Sequence, residues 1–142
     1  MAGIDVARKF LGLQQVRNNR ELRALLHSQA INGDIAIDPA TTSWCAAWVN
    51  FCEREAGFHG TGLLNAQSFK TYGQKIDPDD AKEGDILVFH FPFDSDWQGH
   101  VTYFESWDDA NNTVKCLGGN QNHSVAESNY IQDYVTDVRR SV

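Results

Sequence analysis

The run Ile86-Leu87-Val88-Phe89-His90-Phe91 limits the possible folds more than any other stretch of the chain. It is almost continuously apolar and follows the turn-forming Asp77-Pro78-Asp79-Asp80, so it reads as a central strand. More strand-like segments come after it. Residues 99–106 read as the next strand, 108–112 as a hairpin turn and 113–117 as its partner, with short strands over 124–130 and 133–140. The first half of the chain has helical periodicity instead. Val6, Phe10, Leu11 and Leu13 make one apolar stripe, Asn18-Asn19 breaks it, and Leu22, Leu25 and Leu26 make a second. Helices first and an antiparallel sheet second predict an α+β domain.

A third helix is predicted from Thr41-Thr42-Ser43-Trp44-Cys45-Ala46-Ala47-Trp48-Val49-Asn50. Thr42 and Ser43 suit an N-cap, Cys45, Trp48, Val49 and Cys52 recur at helical spacing, and Gly57 is placed to end the helix. Cys45 then falls in the first turn, where free N–H groups and the helix dipole favour thiolate over thiol. The same position also suits a small buried thiol beside two tryptophans. The stretch alone leaves both roles open.

Composition closes several classes. A chain of 142 residues fits one domain with a real core. A net charge of −7 argues against nucleic acid, which needs a basic face. Three cysteines without a Cys-x-x-Cys spacing argue against a disulfide framework or a structural zinc site. No apolar run reaches the length of a membrane span, roughly 18 residues. The N-terminus lacks a basic segment followed by an apolar block, so no secretory signal is expected. In the turn-rich loop 31–40, Asp34 and Asp38 are weak candidates as oxygen ligands for calcium, and turn and cap roles account for them better. The glycine-rich 57–62 lacks the lysine of a phosphate loop and reads as a turn.

A thiol hydrolase needs a cysteine held where it can ionise, an imidazole within reach, and a group that fixes the tautomer of that imidazole. Here the order is Cys45 at a helix start, His100 at a strand start and Asn120 at the end of the next strand. Neighbouring antiparallel strands lie roughly 5 Å apart, so a hairpin can set Asn120 beside His100. His27, His59, His90 and His123 read as structural or solvated, and Cys52 and Cys116 as core. Trp97, Phe93, Trp107 and Tyr72 are candidates to line a groove.

Four segments resemble the papain-like cell-wall peptidases of the NlpC-like and CHAP (cysteine, histidine-dependent amidohydrolase/peptidase) families, most of all their small phage and prophage members. They are Ser43-Trp44-Cys45-Ala46-Ala47-Trp48-Val49-Asn50, Lys82-Glu83-Gly84-Asp85-Ile86-Leu87-Val88-Phe89, Gly99-His100-Val101 and Leu117-Gly118-Gly119-Asn120-Gln121. The resemblance implies a papain-like fold, with N-terminal helices packed on an antiparallel sheet and the nucleophile at the start of the central helix. It implies one catalytic domain over 1–142, a helical arm and loop over 1–37 and the papain-like core over 38–142. Cys45 would be nucleophile, His100 base and then acid, and Asn120 the orienting group. Ser43, Trp44, Gln67 and Trp97 would serve the oxyanion or the substrate. The upstream glutamine of papain-type sites has no counterpart, because Pro39 and Ala40 occupy that region. The implied activity is hydrolysis of a peptidoglycan amide, without cofactor, metal or nucleic acid, by a monomer. It would be an endolysin held in the host cytoplasm until lysis. An interbacterial amidase effector and a non-catalytic papain-like binding module are the alternatives.

Overall fold

The computed structural model describes residues 1–29 and 37–142. Three helices, α1 (Gly3–Lys9), α2 (Asn19–Gln29) and α3 (Cys45–Glu55), precede six strands. The strands are β1 (Gln74–Ile76), β2 (Ile86–Phe89), β3 (His100–Asp108), β4 (Thr113–Gln121), β5 (Ser124–Ile131) and β6 (Val135–Arg140). They form one sheet in the order β1-β6-β2-β3-β4-β5, every pair antiparallel. The α+β class and the helix-then-sheet order agree with the sequence reading. Between α3 and β1 the chain makes a 3₁₀ turn, Ala66–Thr71.

The apolar run behaves as a central strand must. Ile86 and Val88 join the core on the α3 side of the sheet, while Leu87 and Phe89 join a second cluster on the opposite face with Phe104, Val114, Cys116 and Val138. All four residues of β2 are buried. Asp85, just before the strand, is also buried. It accepts from Arg140 Nε and Nη2 at 2.8 Å each and from the Lys82 N–H at 2.8 Å, which satisfies a carboxylate that burial would otherwise penalise.

Helix α3 is buried along almost its whole length, from Cys45 to Glu53. It lies between the sheet and the N-terminal helices. Close approach to β4 depends on Gly119, where a Cβ would sit 2.7 Å from Trp44 Cζ3 and from Trp48 Cβ. The N-terminal arm is part of this packing. Ile4, Val6 and Ala7 of α1 and Leu22 and Leu26 of α2 belong to the same core. The segment between them bridges to β5 through Gly12 N–H to Val125 O and Val125 N–H to Leu13 O, each 2.8 Å. At the far end of α3, buried Glu53 accepts hydrogen bonds from the hydroxyls of Tyr103 (2.7 Å), Tyr72 (2.9 Å) and Ser141.

Candidate active site

The expected capping of α3 does not occur. Its N-cap is Trp44, not Thr42 or Ser43, and no side chain caps the first turn. The first intrahelical bond runs from Trp48 N–H to Trp44 O, so the amides of residues 45–47 are left without intrahelical partners. Cys45 therefore sits on an uncapped helix start, where unpaired donors favour negative charge.

Three groups act on the Cys45 sulfur. Burial pushes the thiol up. A hydrogen bond and the charge of the His100 ring, the Val101 backbone N–H and the Ser43 hydroxyl more than offset this, and its pKa lies below the ordinary thiol value. His100 responds in the opposite sense. Burial lowers it, but Cys45, Gln121 and the charge of Asp94 carry it above the ordinary imidazole value. The two shifts favour a thiolate–imidazolium pair. The other thiols differ: burial raises both Cys52 and Cys116, which have no imidazole partner among the described residues and pack as core.

The residue that holds His100 is Gln121, not the expected Asn120. Gln121 Oε1 lies 3.0 Å from His100 Nε2 and accepts from Thr102 Oγ1 at 2.7 Å. Its Nε2 donates to Cys116 O at 3.2 Å and Ala126 O at 2.6 Å. Carbonyl oxygens only accept, so the amide has one allowed orientation, with Oε1 towards the imidazole. His100 must then carry its proton on Nε2, leaving Nδ1 for Cys45.

Backbone geometry explains the one-residue error. Tyr103 pairs with Leu117, and continuing that register would bring Asn120 opposite His100. The β4–β5 register shifts between Gly118 and Gln121, and Asn120 has φ 58°. The extra residue is a bulge, and a bulge of one residue exchanges the faces of the side chains that follow. Gln121 takes the place beside His100. Asn120, a residue that tolerates left-handed backbone, turns its Nδ2 to Ser43 Oγ at 3.5 Å. Gly118 makes the clamp possible, because a Cβ there would meet Thr102 Oγ1 at 2.3 Å. Sequence reasoning missed Gln121 and Thr102, although Gln121 stands in the quoted Leu117-Gly118-Gly119-Asn120-Gln121 segment.

A cleft of about 250 Å³ opens over the sulfur. Ser43 and Cys45 form its floor, Leu64, Asn65 and Ala66 one wall, and Asp94, Trp97, Gln98 and Gly99 the other. Ser43 and Trp97 thus stand where expected, with Trp97 66% exposed. Trp44 does not: its ring is fully buried, donates from Nε1 to Gln15 Oε1 at 3.2 Å and packs edge-on to Trp48. Gln67 is also not a cleft residue. Its Nε2 donates to Phe89 O (3.2 Å) and Gln98 O (2.8 Å), which ties together the two ends of the loop between β2 and β3. Tyr72 bonds Glu53 and Trp107 bonds Pro78 O, and neither lines the cleft. Phe93, 83% exposed, stacks on Phe91 outside it.

Asn50 shapes the opposite wall. Its Oδ1 accepts from the N–H groups of Thr61 (2.7 Å) and Gly62 (3.1 Å), and its Nδ2 donates to Leu63 O (2.9 Å). The fully buried amide thereby fixes the turn that delivers Leu64 and Asn65. Of the calcium candidates, Asp34 lies outside the described residues. Asp38 accepts from Asn19 Nδ2 and Ala40 N–H, each 2.9 Å, which closes a turn. Among the described residues no cluster of three or more His, Cys, Asp or Glu side chains could hold a metal ion.

The profile of the CHAP domain matches residues 37–120, more than half of the chain. The chain belongs to the CHAP domain family. No curated protein matches it in sequence. Among the solved structures that share the fold of this CHAP chain, two serve for comparison. One is a Staphylococcus aureus protein described as similar to lipoprotein, NLP/P60 family, 19% identical, with a TM-score of 0.59 over 99% of this chain and 40% of its own. The other is NlpC1 from Trichomonas vaginalis, 20% identical, with a TM-score of 0.52 over 87% of this chain and 44% of its own. The chain spans less than half the length of either. At that identity the likeness bears on the papain-like fold, and the chemistry of this CHAP domain is argued from its own residues. The family match stops at Asn120, one residue before the side chain that holds His100.

Proposed function

We propose that this CHAP domain is a thiol hydrolase that cleaves an amide bond in the peptide part of peptidoglycan. The observation that carries the reading is the pairing of an acidified Cys45 on an uncapped helix start with a His100 whose tautomer Gln121 fixes. The triad is thus Cys45, His100 and Gln121. In the first half-reaction the Cys45 sulfur attacks the amide carbonyl carbon. The oxyanion formed is met by the Cys45 N–H and by Asn120 Nδ2, the side-chain amide that reaches in beside Ser43. His100 Nδ1 gives its proton to the departing amine nitrogen, and a thioester remains. Water then loses a proton to Nδ1, attacks the thioester carbon and releases the carboxylate and the Cys45 sulfur. Family membership supports the wall peptide as substrate, and the resemblance of the motif segments to small phage lysins supports a role in host lysis.

The test is release of soluble fragments from purified peptidoglycan, read by mass spectrometry for the bond cut. Wild type should release fragments with new amine and carboxyl ends, and Cys45→Ala should release none. Equal release by Cys45→Ala would rule out the thiol mechanism.

A further inference from the structure

The cleft over Cys45 carries a charge that has no step of its own in the reaction, although it also helps to raise the His100 pKa. Apart from the Cys45 thiolate itself, Asp94 is the one lining residue among those described that carries a formal charge. Asp94 stands in the loop between β2 and β3, and its Oδ2 accepts the Phe91 N–H at 2.8 Å. Among the described residues no other hydrogen bond and no ion pair with Lys or Arg holds this carboxylate. One oxygen thus anchors the loop, and the other is left to the cleft. Trp97 lines the same wall with an exposed indole, whose face attracts cations. The chain is acidic overall, which adds a long-range bias towards positively charged ligands. A substrate with a carboxylate at this wall would meet like charge, whereas one with an ammonium would find a charge-assisted acceptor beside an aromatic face.

We propose that Asp94 is a specificity-determining residue, and that the preferred substrate places a primary ammonium group against it, close to the scissile amide. The inference rests on the amide-hydrolase reading above. The ammonium has two chemical sources in a wall peptide, a free α-amino end or the side chain of a diamino acid. Asp94→Asn keeps an oxygen for the Phe91 N–H and removes only the charge, so the loop anchor survives the substitution.

The experiment uses three short diamino-acid peptides: one acetylated at the side-chain amine, one at the α-amine and one at both. Wild type should hydrolyse one of the two singly acetylated peptides about 10- to 100-fold faster, as kcat/KM, than the doubly acetylated one, which is the size expected of a hydrogen bond to a charged group. The favoured peptide identifies the amine. In Asp94→Asn the ratio between that peptide and the doubly acetylated one should collapse towards one, whatever the absolute rates. Equal rates on all three peptides in wild type, or a preference that Asp94→Asn retains, overturns the inference. Calorimetric binding of the same peptides to Cys45→Ala and to Cys45→Ala/Asp94→Asn gives a readout without turnover. If wild type hydrolyses none of the peptides, the hydrolase reading fails on them, and the calorimetry decides the Asp94 assignment by itself. An amine preference lost with Asp94 supports the assignment, and no preference overturns it.

Discussion

Replacing Gln121 by Ala tests the geometry at its most specific point. The substitution removes the His100 and Thr102 contacts to Oε1 and the two donations from Nε2. Net contributions of about 0.5–1.5 kcal/mol per bond, with buried partners left unpaired, give a loss on the order of 3 kcal/mol. For a domain of this size that is roughly a 10 °C fall in Tm. The kinetic effect is separable. His100 loses the acceptor that holds its proton on Nε2, and the imidazolium formed during turnover loses a charge-assisted bond worth about 1.5–3 kcal/mol, so kcat should fall about 10- to 100-fold. The sign of the pH effect is also fixed. Gln121 helps to raise the His100 pKa, so removing it lowers that pKa. A thiolate–imidazolium pair is lost as pH rises through the histidine value, and the alkaline limb of the rate profile should therefore move to lower pH. The assay is kcat/KM against pH, measured well below the Tm and normalised to titratable thiol. An unmoved alkaline limb in Gln121→Ala, with a shifted one in Asn120→Ala, would return the orienting role to Asn120 and refute the bulge argument.

Asn120→Ala should lower kcat by about 10- to 100-fold while leaving both pH limbs in place, because it removes the proposed oxyanion donor and no partner of His100; steady-state kinetics across pH checks this. Asn50→Ala strips the hydrogen bonds that hold the 61–63 turn and should cost about 2–3 kcal/mol in urea unfolding, with KM rising as the Leu64–Asn65 wall loosens. Gly119→Ala should destabilise by more than 2 kcal/mol, roughly the cost of overpacking, because the added Cβ meets Trp44 and Trp48 at 2.7 Å; thermal melts of the purified variant measure it.

Period and composition made the architecture legible. The stripe through Cys45, Trp48, Val49 and Cys52 marked a core helix, and the run from Ile86 marked the central strand, because burial imposes those spacings whatever the neighbours are. Cys45 and His100 were legible for the same reason: each opens an element, and element starts are visible in sequence. What lay hidden was local backbone geometry. The bulge at Asn120 leaves no period of its own, so counting along an ideal strand selects the wrong amide by one residue. The uncapped start of α3 was obscured by two good capping residues, Thr42 and Ser43. Thr42 is instead drawn into a turn closed on Asp38 O, and Ser43 faces the thiol. Trp44 and Gln67 looked like cleft residues because they adjoin motif positions. Trp44 is committed to Gln15, far off in the chain, a pairing that only the tertiary structure reveals.

The Gln67 staple has a consequence for how such a chain can change over generations. By joining Phe89 O to Gln98 O, it closes the loop between β2 and β3 at its base. The rim residues Phe93, Asp94 and Trp97 lie beyond that closure, and His100 lies behind it. Lengthening a loop whose ends are already pinned adds little closure entropy, roughly 0.6 kcal/mol per doubling. Insertions at the rim therefore leave the base of the loop, and with it the backbone position of His100, in place, whereas the charge of Asp94 still reaches the Cys45–His100 pair. Substrate preference can drift by rewriting a handful of surface residues, while the backbone behind the staple stays under separate selection.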